Sequence, residues 1–226
     1  MVREAMAPPV PGARQRMSYE EWLTWAPDGF LSEWIDGEGV IYGPAGDRHQ
    51  WIAAFLYQLL SRFATLHDLG GIAMIAPFEV RLVAGRVSRE PDVLYLRPEH
   101  GERWTAKRLE GGADLAVEHV SDDSVRRDRV EKRAQYEAAG ISEYVLIEAR
   151  EQRTGLEVLR LDDTGRYQAV QLDDDGRAHL VTLAGLWLDP AWFGVDGPPD
   201  VERTLMAVSP DAYFAWVDAE RRTLGR

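Results

Sequence analysis

The chain has 226 residues, of which 45% are hydrophobic and eight are Trp, so it is long enough to bury one sizeable core as a single domain. It contains no Cys, which excludes disulfides, thiolate zinc sites and cysteine nucleophiles, and no apolar run approaches the roughly 20 residues that span a bilayer. Lys and Arg number 26 against 38 Asp and Glu, and the resulting net charge of −12 opposes broad contact with phosphate backbones. From the absence of Cys and of a long apolar run, we expect a soluble cytoplasmic protein with no membrane partner.

The N-terminal part of the chain predicts a short helix and a hairpin. Residues 1–17 are Pro-rich and are expected to be disordered. Ser18 and Glu21 have the spacing of a capping box, which predicts that a helix starts there. The Asp36-Gly37 pair favours a tight hairpin turn, because both residues tolerate the positive φ that such a turn requires.

A long helix and three strands are predicted next. His49 opens a run to Leu66 in which apolar residues recur at helical spacing, and we interpret His49 as a polar residue of the first turn rather than a ligand. Segments near 72–83, 91–96 and 114–120 are rich in β-branched, aliphatic and aromatic residues and are predicted to be strands.

Two of these strands carry an acid where a buried strand favours an apolar residue. Asp92 follows Pro91 at the start of one strand, and Glu118 lies within the next. Burying an ionised carboxylate without a partner is costly, and a shared divalent cation would account for both acids. The alternative for Asp92 is a turn-capping role, which is common for Asp at a strand start.

A strand–helix–strand unit follows Glu118. The cluster at 121–124 is suited to accept hydrogen bonds from the free amides of a helix, which is predicted to run from about Val125 to Ala139. Gly140 is the expected left-handed stop, and 141–148 returns as a strand. Such a crossover makes the two strands parallel, so an α/β fold with a mixed central sheet is predicted.

Lys132 lies on the helix of this unit. Asp128, Lys132 and Tyr136 are spaced four apart and share one face. Helical side chains point toward the helix N-terminus, which adjoins the strand of Glu118, so the amine can reach the acids. The alternative is an ion pair between Lys132 and Asp128 on a solvated face.

The remainder of the chain predicts antiparallel edge strands and a helical tail. A meander is expected near 155–161, 166–172 and 178–183, and the acidic run at 173–176 is interpreted as a solvated turn rather than a calcium loop. Residues 196–226 are predicted to be a linker and a C-terminal helix, which would pack either on its own core or on a second copy to give a homodimer.

The motifs occur in an order that belongs to a known family. They are Glu33-Trp34-Ile35-Asp36-Gly37-Glu38, His49-Gln50, Pro91-Asp92-Val93, Val117-Glu118-His119-Val120-Ser121, Asp128-Arg129-Val130-Glu131-Lys132, Tyr136, Ala139-Gly140-Ile141 and Glu143-Tyr144. This series resembles the Uma family, whose members are classed as restriction endonucleases within the PD-(D/E)XK nuclease superfamily. The resemblance covers roughly 18–190 and implies a nuclease-like domain at 18–195.

The resemblance implies a restriction-endonuclease-like mixed central sheet flanked by helices, with an N-terminal hairpin, and a Mg²⁺- or Mn²⁺-dependent endonuclease acting on nucleic acid, with DNA as the expected partner. By this resemblance Asp92 and Glu118 are the two acids and bind the metal together with the backbone carbonyl of His119. The superfamily lysine normally follows the second acid by two residues, where this chain has Val120. The resemblance transfers its role to Lys132.

Two further acids and two other functions remain open. Glu33 and Glu79 are candidates to complete the acidic cluster, although a surface position on the hairpin is an equal alternative for Glu33. A catalytically silent binding protein with a nuclease fold is favoured by Val120 and the acidic charge. A metal-free pair of Asp92 and Glu118, acting for example on a glycoside, is the third class. Arginines near the predicted site allow a local basic cleft on an acidic body.

Overall fold

The computed structural model describes residues 10–26, 29–83, 86–150 and 153–225. The strands, in chain order, are β1 (Arg14–Arg16), β2 (Ser32–Ile35), β3 (Glu38–Ile41), β4 (Ile72–Ile75), β5 (Glu79–Val83), β6 (Val87–Arg89), β7 (Val93–Leu96), β8 (Arg108–Glu110), β9 (Leu115–Val120), β10 (Glu143–Arg150), β11 (Arg153–Leu161), β12 (Tyr167–Ala169), β13 (Ala178–His179) and β14 (Trp187–Leu188). The α-helices are α1 (Tyr19–Trp25), α2 (Asp47–Leu66), α3 (Arg133–Ala138), α4 (Val201–Val208) and α5 (Pro210–Thr223). A π-helical turn (Arg127–Lys132) leads directly into α3, and two 3-10 helices span Pro98–Arg103 and Pro190–Phe193.

Most strands form two six-stranded sheets. The central sheet has the order β12-β11-β10-β9-β7-β4, and the N-terminal sheet has the order β1-β3-β2-β6-β5-β8. In the central sheet β9 and β10 are parallel, whereas the remaining neighbours are antiparallel, so the sheet is mixed. This confirms the predicted crossover. The Asp36-Gly37 hairpin between β2 and β3 is also confirmed, with φ values of 46° and 86° at the turn residues.

The central sheet is buried on both faces. On one face its side chains pack against α2 and the C-terminal elements, and Phe63, Val93, Val117 and Leu205 belong to this core. On the other face they pack against α3 and the N-terminal sheet, where Val80, Leu94, Tyr136 and Leu146 form a second core. Two buried faces explain why β9 and β10 read as nearly continuous apolar runs.

The chain passes from one sheet to the other within three residues. Arg89 ends β6 in the N-terminal sheet and Val93 begins β7 in the central sheet. Glu90, Pro91 and Asp92 form this link, which we call the intersheet link. The segment predicted as one strand at 72–83 also divides between the sheets, as β4 and β5.

The chain termini differ from the sequence expectation in part. Of the segment predicted to be disordered, 1–9 lies outside the described residues, but Arg14–Arg16 forms an edge strand on β3. The predicted meander ends at β12, because β13 pairs with β14 instead. The tail contains two helices, and α4 docks on the chain's own core through the buried Leu205. Within the described ranges, no helix combines the length and apolarity needed to cross a bilayer.

Candidate active site

Four predicted residues meet where the intersheet link passes beneath the π-helical turn. Lys132 Nζ lies 2.7 Å from Glu118 Oε1 and 3.3 Å from Glu33 Oε1. Asp92, on the link, lies beside Glu118, because Val93 pairs with Val117 and the antiparallel register extends by one position. Glu33 comes from β2, Glu118 from β9 and Lys132 from the turn, so the site is assembled from both sheets and a helix.

Burial of Lys132 removes one of the sequence alternatives. Its side chain is 4% exposed, and its shortest ion pair is with Glu118 rather than with Asp128, which is 3.9 Å away. The helix face therefore covers the central sheet and is not solvated. Tyr136, one turn further on, donates a hydrogen bond of 2.7 Å to the same oxygen of Glu118.

Glu33 is held by a second cation. Arg89 Nη1 lies 2.6 Å from Glu33 Oε2, and both side chains are 1% exposed. Tyr42 donates a 2.7 Å hydrogen bond to the same oxygen, and Gln135 accepts a bond of 2.8 Å from Arg89 Nε. Burial alone would raise the pKa of Glu33, but Arg89 and Lys132 lower it to about 2. The surface alternative for Glu33 is therefore wrong.

Asp92 contacts two histidines, and the sequence indicated neither of these contacts. Its Oδ1 lies 3.0 Å from Nε2 of His49 on α2, and its Oδ2 accepts a 2.7 Å bond from the backbone N–H of His119. Burial opposes ionisation, but the bond from His49 and its charge lower the pKa of Asp92. His49 is thus a site residue, and the prediction that it only opens a helix was incomplete.

His119 lies on the opposite face of β9 from Glu118. Its ring packs against the His49 ring, with centroids 4.6 Å apart. Burial lowers the pKa of His119 to about 4, so the ring is neutral at physiological pH. This geometry agrees with strand alternation, and only the backbone of His119 faces the acids.

The site contains more buried acid than buried base. Five carboxylates are buried there, namely Glu33, Glu90, Asp92, Glu118 and Asp128. Lys132 and Arg89 are the buried cations among them. Burial raises the pKa of Glu118 to about 8, even beside Lys132, and burial with the nearby charge of Glu33 raises that of Glu90 to about 8.

This donor set fits a hard divalent cation. Both contacts to Glu118 fall on Oε1, and within the described ranges no hydrogen bond or ion pair occupies Oε2. No group of three or more His, Asp or Glu side chains among those residues is arranged to hold a metal ion. Mg²⁺, however, is commonly held by one or two carboxylates with the remaining positions filled by water. Asp92 and Glu118 provide two buried carboxylates of the kind that such an ion takes.

Most arginines expected to form a basic cleft are engaged by acids. Arg129 pairs with Glu148 and Glu157, and Arg86 pairs with Asp36. Arg127 lies over the Tyr42 ring, 4.4 Å from its centroid, and Arg126, although 87% exposed, pairs with Glu131 at 3.3 Å. The basic surface beside the site is therefore smaller than the sequence suggests.

Glu79 does not join this group. Its Oε1 accepts hydrogen bonds of 2.7 Å from both Tyr19 and Ser88, which tie β5 to α1 and β6. The acidic run at 173–176 forms a turn in which Asp173 accepts from the backbone of Asp175 and Arg177, as predicted. Both features are structural.

Solvent reaches the site through a cleft of about 530 Å³. His49, Asp92 and Tyr42 are among the residues that line this cleft. Access to the buried acids from this side passes Asp92 first.

Comparisons with known proteins agree with this architecture. A model of the family Uma2, described as "Putative restriction endonuclease", matches residues 18–191. Among solved structures, the chain is similar to "a putative nuclease belonging to DUF820" from Anabaena variabilis, with a TM-score of 0.62 and 16% sequence identity over 78% of this chain and 97% of that chain. At this identity the likeness shows the fold. No curated protein matches the chain.

Proposed function

Because the chain belongs to the Uma2 family, described as "Putative restriction endonuclease", we propose that it is a metal-dependent endonuclease of the PD-(D/E)XK type that hydrolyses phosphodiester bonds in DNA. The observation that carries this proposal is the contact of Lys132 with Glu118 beside Asp92, in a buried and acid-rich junction. It is the combination of two carboxylates and one amine that such hydrolysis requires.

Asp92, Glu118 and the backbone carbonyl of His119 would hold Mg²⁺ or Mn²⁺. When bound, the cation lowers the pKa of a coordinated water and offsets charge on the scissile phosphate. The chain's own groups prepare this site. His49 and the His119 amide orient Asp92, and Tyr136 orients Glu118 through its hydroxyl group.

Lys132 acts as a fixed positive donor. Burial would lower its pKa, but Glu118, Glu33 and Asp128 raise it above the ordinary value, so the amine stays protonated at all physiological pH values. A permanently protonated amine cannot accept the proton of the attacking water. It can hold that water by a hydrogen bond and stabilise the negative charge that develops on the phosphoryl oxygens.

Glu33 and Arg89 position Lys132 instead of taking part in the reaction. Glu33 bonds Lys132 through Oε1 and Arg89 through Oε2, so its orientation is fixed from both sides. Because the pKa of Glu33 is lowered to about 2, it remains an anion and keeps the amine directed at Glu118. We therefore assign Glu33 a positioning role.

A catalytically silent binding protein with the same fold is the second candidate. It is favoured by Val120 at the position where the superfamily has its lysine, by the net charge of −12, and by the pairing of Arg129 and Arg86 with acids. In that case Lys132 would serve as a permanent internal counter-ion for Glu118 and Glu33.

A cleavage assay with a matched binding measurement distinguishes the two. Plasmid and single-stranded DNA are incubated with Mg²⁺ or Mn²⁺, and calorimetry follows the binding of each metal. Asp92→Asn removes one acid, whereas Asp123→Asn alters an exposed acid near the site and serves as the control. Cleavage and metal binding that vanish only in Asp92→Asn support the nuclease, and wild-type protein that binds DNA without cutting it with either metal supports the silent protein.

A further inference from the structure

The cleft that leads to Asp92 is a built feature of the junction between the two sheets. Its walls come mainly from three segments, at 29–31 before β2, 42–45 after β3 and 75–77 at the end of β4. The first turns of α2 close it from one side with His49 and Gln50. Of the carboxylates Glu33, Asp92 and Glu118, only Asp92 is among the residues that line this cleft.

The chemistry of the walls differs from that of a phosphate-binding groove. Phe30, Leu31, Tyr42, Pro44, Ile75 and Pro77 give the cleft a largely hydrocarbon and aromatic surface. Across the described ranges, no Lys or Arg lines it, and the lining residues that can carry a charge near neutral pH are His49 and Asp92. A chain of phosphates would find little to neutralise it here, whereas a flat, uncharged group would displace water from apolar walls.

The size of the cleft matches a small ligand. At about 530 Å³ it falls within the range of roughly 300–1,000 Å³ that is typical of small-molecule sites. Tyr42 is fixed within its wall, because its hydroxyl group bonds Glu33 and its ring packs against Arg127. Phe30 is 40% exposed at the rim. Two aromatic rings, one of them held rigidly, suit stacking with a heterocycle.

We propose that this cleft receives the base and sugar of one unpaired nucleotide next to the scissile phosphate. The inference rests on the proposed nuclease function and deepens it by naming the substrate class. A base that is paired and stacked in a duplex cannot enter such a cleft, so the favoured substrate is single-stranded or carries an unpaired nucleotide at the cut. Stacking also supplies affinity that an acidic protein cannot obtain from phosphate contacts.

The first experiment compares substrates. One labelled sequence is presented as a single strand, as a perfect duplex and as a duplex with one bulged nucleotide, each with Mn²⁺, and the cut positions are mapped. Abasic nucleotides are then placed singly around the cut. We expect the single strand and the bulge to be cut at least about tenfold faster than the duplex, and one abasic position beside the cut to slow the reaction by about tenfold.

The second experiment measures binding without cleavage. A single-stranded oligonucleotide that carries 2-aminopurine is titrated with protein in EDTA, because stacking quenches this fluorophore. Phe30→Ala should weaken the quenching and slow single-strand cleavage. Phe214→Ala removes a comparably exposed ring from α5 and should change neither.

The outcomes separate the two proposals. Equal cutting of duplex and single strand, with no sensitive abasic position, overturns the inference while the nuclease function stands. Absence of cleavage for every oligonucleotide contradicts the nuclease function, and the fluorescence titration then decides the inference alone. Quenching that is absent, or equal in Phe30→Ala and wild type, overturns it.

Discussion

Lys132 Nζ contacts Glu118 Oε1 at 2.7 Å although the two residues come from different elements, a π-helical turn and β9. In a strand-borne arrangement the amine would come from residue 120, which is Val in this chain. The helix supplies the amine from above the sheet instead, where Glu33 holds it from a second side.

Replacing Lys132 should reduce turnover far more than metal affinity. Lys132→Met removes the donor that stabilises the transition state, and we expect kcat to fall on the order of 100-fold. The same change leaves Glu118 and Glu33 buried without this partner, so the free energy of unfolding should fall by about 3–5 kcal/mol. Single-turnover kinetics and denaturant titration measure both effects, and Lys107→Met at an exposed position is the control.

An equal loss in metal affinity and in turnover would contradict this role for Lys132. It would indicate that the amine matters by keeping Glu118 in place. Adding Glu118→Gln to Lys132→Met should then recover stability but no activity, because position 118 would no longer carry a buried charge and Glu33 would keep Arg89 as its partner.

The two acids should be separable from the fold. Asp92→Asn and Glu118→Gln keep the size of each side chain and lower its charge, so we expect cation affinity to fall by more than about tenfold with cleavage lost. Near-ultraviolet circular dichroism should remain that of the wild type. A collapse of this spectrum would mean that the acids are structural.

Loss of Arg89 should lower stability, because Arg89 is the second buried cation that holds Glu33. Arg89→Met leaves Glu33 buried beside Lys132 alone, which should cost about 3–5 kcal/mol in the free energy of unfolding. Arg86→Met, at an exposed pair with Asp36, should cost less than about 1 kcal/mol. In urea titrations, the double variant Arg89→Met with Glu33→Gln should recover free energy of unfolding relative to Arg89→Met alone. Failure to recover would show that the loss comes from the packing of Arg89 and not from the unpaired charge of Glu33.

His49 should tune the affinity of Asp92 for a cation. Loss of its bond in His49→Asn is expected to weaken Mn²⁺ binding by about 10–100-fold, less than the effect of Asp92→Asn. His179→Asn changes a surface histidine and should have no effect. Calorimetry measures the Mn²⁺ affinity of each variant. Unchanged Mn²⁺ binding in His49→Asn would exclude a role of His49 in orienting Asp92.

Metal-free protein should lose stability as pH rises toward 8. The pKa of Glu118 is raised to about 8, so the folded state keeps a proton that the unfolded chain loses near about 4.3. The stability that this proton contributes is fully present below the unfolded pKa and is lost as pH rises through the folded pKa. Above about pH 7.5 His119 is neutral in the folded state and almost entirely neutral in the unfolded state, so it does not interfere there.

Urea titrations in EDTA from about pH 7.5 to 9 test this, and Glu118→Gln should reduce the slope to the part that Glu90 contributes through its own raised pKa of about 8. A cation that binds Glu118 must also displace this proton. Metal affinity should therefore rise over the same range, and the calorimetric heat near neutral pH should depend on the buffer's ionisation enthalpy. A heat that is independent of buffer would contradict the raised pKa of Glu118.

Local signals in the sequence account for the elements that carry the site. The Asp36-Gly37 turn, the Gly140 stop with its φ of 75°, and the parallel pairing of β9 and β10 follow from short-range chemistry and from the handedness of crossovers. The same signals place Lys132 over the strand of Glu118. The Ser18 capping box is also formed as expected.

Contacts between distant segments could not be predicted in the same way. His49 meets Asp92 only because α2 covers the central sheet, and nothing near His49 in the sequence encodes that docking. Burial of Glu33 depends on Arg89, which is a neighbour in the N-terminal sheet and not in the chain. Strand periodicity also does not reveal that the chain changes sheet at the intersheet link, since the alternation of side chains along a strand does not indicate which sheet the strand joins.

The π-helical turn from Arg127 to Lys132 bears on how this helix tolerates changes in length. Such a turn closes each backbone ring with one more residue than an α-helical turn does. Deleting Val130, which is exposed, would remove no site residue, yet it would let the segment relax to regular α-helical spacing. The angle between Lys132 and Arg129 around the helix axis would then change, and Lys132 would lose its contact with Glu118. The identity of the side chain at 130 is therefore free to vary, whereas its presence as a spacer is not.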